Sequence, residues 1–305
     1  MVKPFDIQVN GYAGVDFCSA SITHDACRRA CDALAADGVD GILATIITDS
    51  VDAICAKLAR LAAFREADPA IARMIVGFHV EGPFINPAPG FVGAHAHEHV
   101  MPAKPDSMRR IIDAAGGLLR LVTLAPEIDP GCATTALLAR HGISVAAGHT
   151  DASLDQLRGA IDAGLSMATH LGNGCPTTLP RHDSIVQRVL ALRDRLWICY
   201  IPDGAHVPFF ALANYLALSG IERSIMVTDA ISAACMGPGV HELSGAPVEI
   251  DADGVARRRG STNLAGSTLT MPRMRENLVR HLGLSEHDTA MLIDANPRRA
   301  VGLAS

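Results

Sequence analysis

A (β/α)8 barrel is the fold class that this 305-residue sequence predicts, on three observations. Eight short, mostly apolar runs recur along the chain, and amphipathic stretches of helical length separate most of them. Most of these runs are followed within three residues by a carboxylate, imidazole or amide side chain. Eight such units within roughly 230 residues suit a closed barrel, whose usual size is ~250 residues, while an open doubly wound sheet is the alternative. Residues 1–305 read as a single barrel domain, without internal repeats, low-complexity tracts or a linker.

The candidate strands are residues 5–9, 39–46, 72–80, 119–124, 143–147, 166–169, 196–201 and 224–228. Each is mostly apolar rather than alternating, as strands buried on both faces of a parallel sheet are. The candidate helices include 23–36, 50–67, 107–115, 133–140 and 153–163. The last opens on Ser153 with Gln156 three residues on, the pattern of a capping box. Beyond the eighth strand, turn signals at Ser244-Gly245 and Asp253-Gly254 flank Val248-Glu249-Ile250, which predicts a small β-hairpin insertion over 240–259. A terminal helical pair follows, broken near its end by Asn296-Pro297.

Composition narrows the class. With 26 Lys plus Arg and 32 Asp plus Glu, the net charge is −6, and a mildly acidic chain has no general attraction for nucleic acid or an anionic membrane. Hydrophobic residues at 49% against 19% charged predict a sizeable buried core. No apolar run approaches the ~18 residues of a membrane span, and the first residues lack the pattern of a signal peptide. Eight cysteines fall without any CxxC. The expectation is a reduced, cytoplasmic, globular protein that binds neither nucleic acid nor membrane.

The polar residues at the strand ends are Gln8 and Asn10, Glu81, Glu127, His149, His170, Asp203 and His206, and Asp229. In a barrel these positions converge on one mouth, where such folds keep their active sites. Glu81, His149 and His170 make a two-His-one-carboxylate set, which suits divalent zinc or iron while leaving positions open. Taken singly, a His at a strand end is more often a hydrogen-bonded structural residue, and thirteen histidines make coincidence easy. Their joint placement at strand ends favours a metal. Asp229 would face across the mouth, take a proton from water and return it to a leaving amine, although alone it also reads as a loop cap. His79, two residues before Glu81 and on the same strand face, reads as a packing or supporting residue.

Ten short motifs occur in order between residues 6 and 297. They are Asp6-Ile7-Gln8-Val9-Asn10-Gly11, His79-Val80-Glu81-Gly82-Pro83-Phe84, Gly93-Ala94-His95, Ala125-Pro126-Glu127, Gly148-His149-Thr150, Thr169-His170-Leu171-Gly172-Asn173, Asp203-Gly204-Ala205-His206, Thr228-Asp229-Ala230, Leu264-Ala265-Gly266-Ser267 and Asn296-Pro297. On these the chain resembles the N-acetylglucosamine-6-phosphate deacetylase family of the amidohydrolase superfamily. The resemblance implies one divalent metal ion, zinc or iron, held by Glu81, His149 and His170, with Asp229 as general base and acid. It implies that His95, with Ala94 beside it, contacts substrate near the scissile amide. Asn173, Gly174, Arg181, Asp203 and His206 would serve the sugar phosphate, with Arg181 acting in its own or a neighbouring subunit. Leu264, Ala265 and Gly266 would give backbone contacts. Gln8-Val9-Asn10 stands where many superfamily members carry a His-x-His for a second metal.

Two departures from the family pattern stand out. Gly172-Asn173-Gly174-Cys175 replaces an aromatic residue followed by Asn-Ala-Met, which would enlarge or loosen the phosphate side. The segments that form a small β-sandwich in the family, before the first strand and after the last helix, have no counterpart in the sequence. A bare barrel, and a homodimer covering its exposed surface, are therefore expected. The implied activity is hydrolysis of the N-acetyl group from N-acetylglucosamine-6-phosphate or a close amino-sugar phosphate, giving acetate and a free amine. The alternatives are amide hydrolysis of another N-acylated substrate and a non-catalytic barrel that binds sugar phosphates. A binding module has no chemical need for the three ligands and Asp229.

Overall fold

The computed structural model describes residues 2–243, 246–260 and 264–303. Eight parallel strands form one sheet in chain order: β1 (Phe5–Val9), β2 (Gly41–Ile47), β3 (Ile75–Glu81), β4 (Leu119–Leu124), β5 (Ser144–Ala147), β6 (Leu165–Ala168), β7 (Trp197–Tyr200) and β8 (Ser224–Met226). The ring closes just beyond the strand ends. Val9 bridges to Ala230 in parallel, and the amides of Asn10 and Gly11 donate to the Ala230 carbonyl at 2.7 and 3.1 Å. Ile42, Phe78, Val122, Val145, Ile198 and Ile225 are fully buried, as double-faced burial of the strands requires.

The helices alternate with the strands: α1 (His24–Ala36), α2 (Val51–Ala67), α3 (Pro69–Met74), α4 (Pro105–Ala114), α5 (Ala133–Arg140), α6 (Leu154–Asp162), α7 (Ile185–Ala191) and α8 (Phe209–Ser219). Side-chain caps fix several starts: Thr23 on α1, Ser50 on α2, and the full Ser153–Gln156 capping box on α6. The third strand begins later than its apolar run suggests, because residues 72–74 belong to α3. There Asp68 caps the Ala70 amide and Pro69 occupies the first turn, two helix signals that an apolar run does not report. The sequence Phe-Phe-Ala-Leu-Ala-Asn-Tyr-Leu-Ala-Leu-Ser of α8 is apolar nearly all round, so it carries no 3.6-residue stripe.

The insertion after β8 is larger than a hairpin. Gly239–Leu243, Ala246–Ile250 and Ala256–Arg258 form a three-stranded antiparallel sheet, closed at Asp253-Gly254 by the Gly254 amide donating to the Asp251 carbonyl. Ser244-Gly245, the other expected turn, lies outside the described residues. Val248, Ile250 and Ala256 pack on Ile231, Ala233 and Ala265 as a small core of their own. The third strand, Ala-Arg-Arg, buries only Ala256 and so has too little alternation to be read from sequence.

Asn296-Pro297 does not break the terminal helix. Met271–Arg280 and Glu286–Ala290 are helical, and a π turn over Met291–Ala295 carries the second of them into Asn296–Ala300. Pro297 falls in the first turn of that last piece, where a missing N–H costs little. The Asn296 side chain donates to the carbonyls of Ile221 and Ser224 at 2.7 and 2.8 Å, clamping the helix to the start of β8. All eight cysteines are free, and among the described residues no helix is long and apolar enough to cross a membrane.

Candidate metal centre and active site

Three mouth residues share an uncommon backbone conformation. His149, His170 and Asp229 have φ of 53°, 29° and 50°, a left-handed region that residues with a side chain seldom occupy. They lie two or three residues past β5, β6 and β8, where the chain leaves the barrel wall. Such conformations persist only where the surroundings over-determine them, and they gather at functional sites.

Four buried side chains converge at this point. His170 Nε2 lies 2.8 Å and His149 Nε2 3.3 Å from Glu81 Oε1, and His95 Nε2 lies 3.2 Å from His149 Nε2. Ligand-capable atoms of Glu81, His95 and His149 are all within 4.8 Å of one another. His149 Nδ1 is 2.6 Å from the Phe91 carbonyl oxygen, a contact that needs an N–H. The neutral ring therefore keeps its lone pair on Nε2, facing Glu81 Oε1 at 3.3 Å as well as His95 Nε2 at 3.2 Å. The lone pair and the carboxylate oxygen repel one another, and a cation between them would take up both. Two imidazoles and one carboxylate fit a divalent ion by donor chemistry as well.

His95 has the opposite tautomer. The Thr48 amide donates to its Nδ1 at 3.4 Å, and the Thr48 hydroxyl lies 2.7 Å from the same atom. Nδ1 is thus an acceptor, and the proton sits on Nε2. His95 presents an N–H to the mouth rather than a lone pair, which separates it from the other members of the cluster. Burial, reinforced by neighbouring His149, pushes His95 down to about 3, so it is a neutral donor. Burial alone would raise Glu81, but the imidazoles of His149 and His170 beside it hold it well below the usual carboxylate range.

Asp229 is held from β1. Its Oδ1 accepts from Asn10 Nδ2 at 2.7 Å and from Gln8 Nε2 at 3.1 Å, and Gln8 Nε2 also lies 3.3 Å from Glu81 Oε2. Two donors on Oδ1 leave Oδ2 as the oxygen that can carry a proton. Burial and the charge of Glu81 push Asp229 up to about 6.

Further down β1, Asp6 accepts from the amides of Gln8 and Thr228, both at 3.1 Å, and burial pushes its carboxyl up to about 7. A folded-state pKa above the ordinary aspartate value of 3.8 means that the contribution of Asp6 to stability is full below 3.8 and is lost as pH rises through about 7. In chelated protein, the stability of the parent relative to Asp6→Asn should fall by roughly 3–4 kcal/mol between pH 4 and 8. Urea unfolding across that range checks this, and parallel pH profiles would contradict it.

The substrate-side residues are partly assembled. Asp203 Oδ2 lies 2.6 Å from His206 Nδ1, and its Oδ1 accepts from the amides of Ala205 and His206. That grip leaves His206 Nε2 for another partner. Burial would raise Asp203, but its bond to His206 holds it below the usual range. Asn173 donates through its amide and its side chain to the His170 carbonyl, which places Gly174 against His149. Gly174 has φ 60°, and a Cβ there would lie 2.9 Å from His149 Nδ1, so only glycine fits. Ser267 donates to the Asp229 carbonyl at 3.0 Å, strapping Leu264, Ala265 and Gly266 beside Asp229, and the Ala265 amide is engaged by the Ala256 carbonyl. Ala94 is half-buried next to His95. Arg181 sits in an exposed stretch, without a hydrogen bond or ion pair among the described residues, so the structure does not bring it to the others.

Glu127 does not face the metal cluster. It accepts from Asn86 Nδ2, the Thr150 hydroxyl and the Asp151 amide, tying together the loops after β3 and β5. Two contributors escaped the sequence reading. Thr48 directly follows β2, the one strand for which no polar end residue was named, so the same rule would have found it. The Phe91 carbonyl is a backbone group and leaves no sequence signal.

No family model matches the chain. The N-acetylglucosamine-6-phosphate deacetylase of Bacillus subtilis (strain 168) is 30% identical over 302 residues, which cover 98% of this chain and 74% of the relative. The N-acetylgalactosamine-6-phosphate deacetylase of Escherichia coli O157:H7 is also 30% identical, over 98% of this chain and 77% of its own. Among solved structures, the N-acetyl-D-glucosamine-6-phosphate deacetylase of Mycobacterium smegmatis matches with a TM-score of 0.89 at 32% identity, over 99% of this chain and 78% of that one. The enzyme of Thermotoga maritima matches at 0.87 and 25%, over 99% and 78%. Identity at this level, held over almost the full length of this chain, shows that the chain belongs to the N-acetylglucosamine-6-phosphate deacetylase family.

Proposed function

We propose that this chain hydrolyses the acetyl amide of N-acetylglucosamine-6-phosphate, or of a close amino-sugar phosphate, with one zinc or iron ion held by Glu81, His149 and His170. The observation that carries the reading is the approach of both His Nε2 atoms to Glu81 Oε1, beside an Asp229 with one oxygen tied and the other open. A divalent ion bound there supplies Lewis acidity toward a carbonyl and toward water. Asp229 Oδ2 takes a proton as water adds to the amide carbon. It gives that proton to the sugar nitrogen as the C–N bond breaks, leaving acetate and a free amine. The Nε2–H of His95 hydrogen-bonds the carbonyl oxygen as it gains charge. Asn173, the Gly174 amide and His206 receive the phosphate, Asp203 orients His206, and the 264–266 backbone with Ala94 lines the sugar side.

Arg181, exposed and unengaged in its own subunit, is assigned to a neighbouring subunit's phosphate pocket in a homodimer. Phe210 at 76% and Leu218 at 54% exposure give α8 an apolar surface to cover. Light scattering should find the mass of two chains, and the mass of one would contradict the dimer.

The test of the activity is acetate release from N-acetylglucosamine-6-phosphate and N-acetylgalactosamine-6-phosphate, since relatives named for each sugar match alike. Gly172 favours a second reading, amide hydrolysis of a different N-acylated substrate. A Cβ there would lie in ordinary contact with Val207 at 3.4 Å and Tyr215 at 3.8 Å, and the φ of 92° suits glycine, so this loop lacks the side chain that would line the phosphate side. Turnover of other N-acyl amines with neither sugar phosphate used would establish that reading instead.

A further inference from the structure

A hydrogen-bonded belt crosses the barrel just beneath the metal cluster. His79 Nε2 lies 2.8 Å from Thr123 Oγ1, which lies 2.7 Å from Thr169 Oγ1. On the other side, His79 Nδ1 lies 3.3 Å from Thr45 Oγ1, and that oxygen accepts the Val9 amide at 3.0 Å. Val9, Thr45, His79 and Thr123 lie on β1 to β4, and Thr169 directly follows β6. All four side chains of the belt are buried.

The belt has a direction. The Thr45 hydroxyl donates to the Leu43 carbonyl, so it accepts from His79 Nδ1–H. His79 Nε2 is then bare and accepts the Thr123 hydroxyl, whose oxygen accepts from Thr169 in turn. Thr123 and Thr169 meet directly across β5, and this explains Gly148. A Cβ at 148 would lie 2.6 Å from Thr123 Cγ2 and 3.0 Å from Thr169 Cβ, in the space the two threonines fill.

Two proposed ligands lie one or two residues beyond a member of this belt, Glu81 beyond His79 and His170 beyond Thr169, and the third, His149, follows Gly148, which Thr123 and Thr169 flank. His149 and His170 also hold left-handed conformations that need support from below. We infer that His79 is a positioning residue for the metal centre, acting through the hydroxyls of Thr45, Thr123 and Thr169 to fix the strand ends that carry Glu81, His149 and His170. The inference rests on the metal site proposed above.

The experiment is Co²⁺ binding to chelated protein, followed by visible absorption and competition against a chelator. The parent, Thr123→Val, Thr169→Val, the double Val variant and Thr123→Ser are compared. Valine keeps the shape of threonine and removes the hydroxyl, whereas serine keeps the hydroxyl. Loss of groups that orient metal ligands costs 10–100-fold in affinity, so Thr123→Val should weaken Co²⁺ binding by about 10-fold or more. Thr123→Ser should restore most of that affinity. The double variant should be no weaker than Thr123→Val, because the Thr169 hydroxyl depends on Thr123 for its acceptor. A structural role alone would lower the melting temperature with Co²⁺ affinity unchanged, and that outcome overturns the inference. If the parent itself binds no Co²⁺, the proposed metal site fails, a separate result. His79→Gln, which keeps a donor and an acceptor on a neutral side chain, should bind Co²⁺ more tightly than His79→Ala, and equal affinities of the two would also contradict the inference.

Discussion

An Asp229→Asn variant is expected to keep its metal ion and lose roughly 10²–10⁴ of its turnover. The substitution is almost isosteric, and the Asn carbonyl can occupy the place of Oδ1, where Gln8 and Asn10 both donate. What changes is the open oxygen. An amide NH₂ there neither takes a proton from water nor delivers one to the departing nitrogen. Metal content and acetate release are measured on the same preparation. Full activity would remove Asp229 from the proton pathway, and loss of the metal would make it a ligand.

Removal of the substrate phosphate should lower kcat/KM by at least ~100-fold. Two charge-assisted hydrogen bonds at roughly 1.5 kcal/mol each amount to ~3 kcal/mol, and Asn173, the Gly174 amide and His206 offer at least that many. His206 is the informative position, because Asp203 holds its Nδ1 at 2.6 Å and commits Nε2 outward. His206→Ala should reduce turnover of the phosphorylated sugar and leave slow turnover of the neutral sugar nearly unchanged. Equal use of both sugars by the parent, or equal damage to both by the variant, would show that the phosphate is bound elsewhere.

The barrel was legible because double-faced burial writes each strand as an apolar run, and because β1 and β4 end where their runs end. Glu81, His170 and Asp229 were legible as polar residues directly after such runs, and His149 as one a single glycine beyond. The convergence of Glu81, His149 and His170 needed the closed ring, in which β3, β5 and β6 turn toward one axis. The tautomers of His95 and His149 were not readable, since they depend on Thr48 and on a Phe91 carbonyl 58 residues from its partner. The π turn before Asn296 defeated the ordinary rule for proline, and the Ala-Arg-Arg strand defeated the rule for alternation.

The most direct test is a titration of chelated protein with Zn²⁺ or Fe²⁺, followed by acetate release from N-acetylglucosamine-6-phosphate. The result expected is activity rising linearly to one equivalent of metal per chain and then staying flat. No acetate at any metal ratio would contradict the deacetylase reading, and a plateau reached only at two equivalents would contradict the single site of Glu81, His149 and His170.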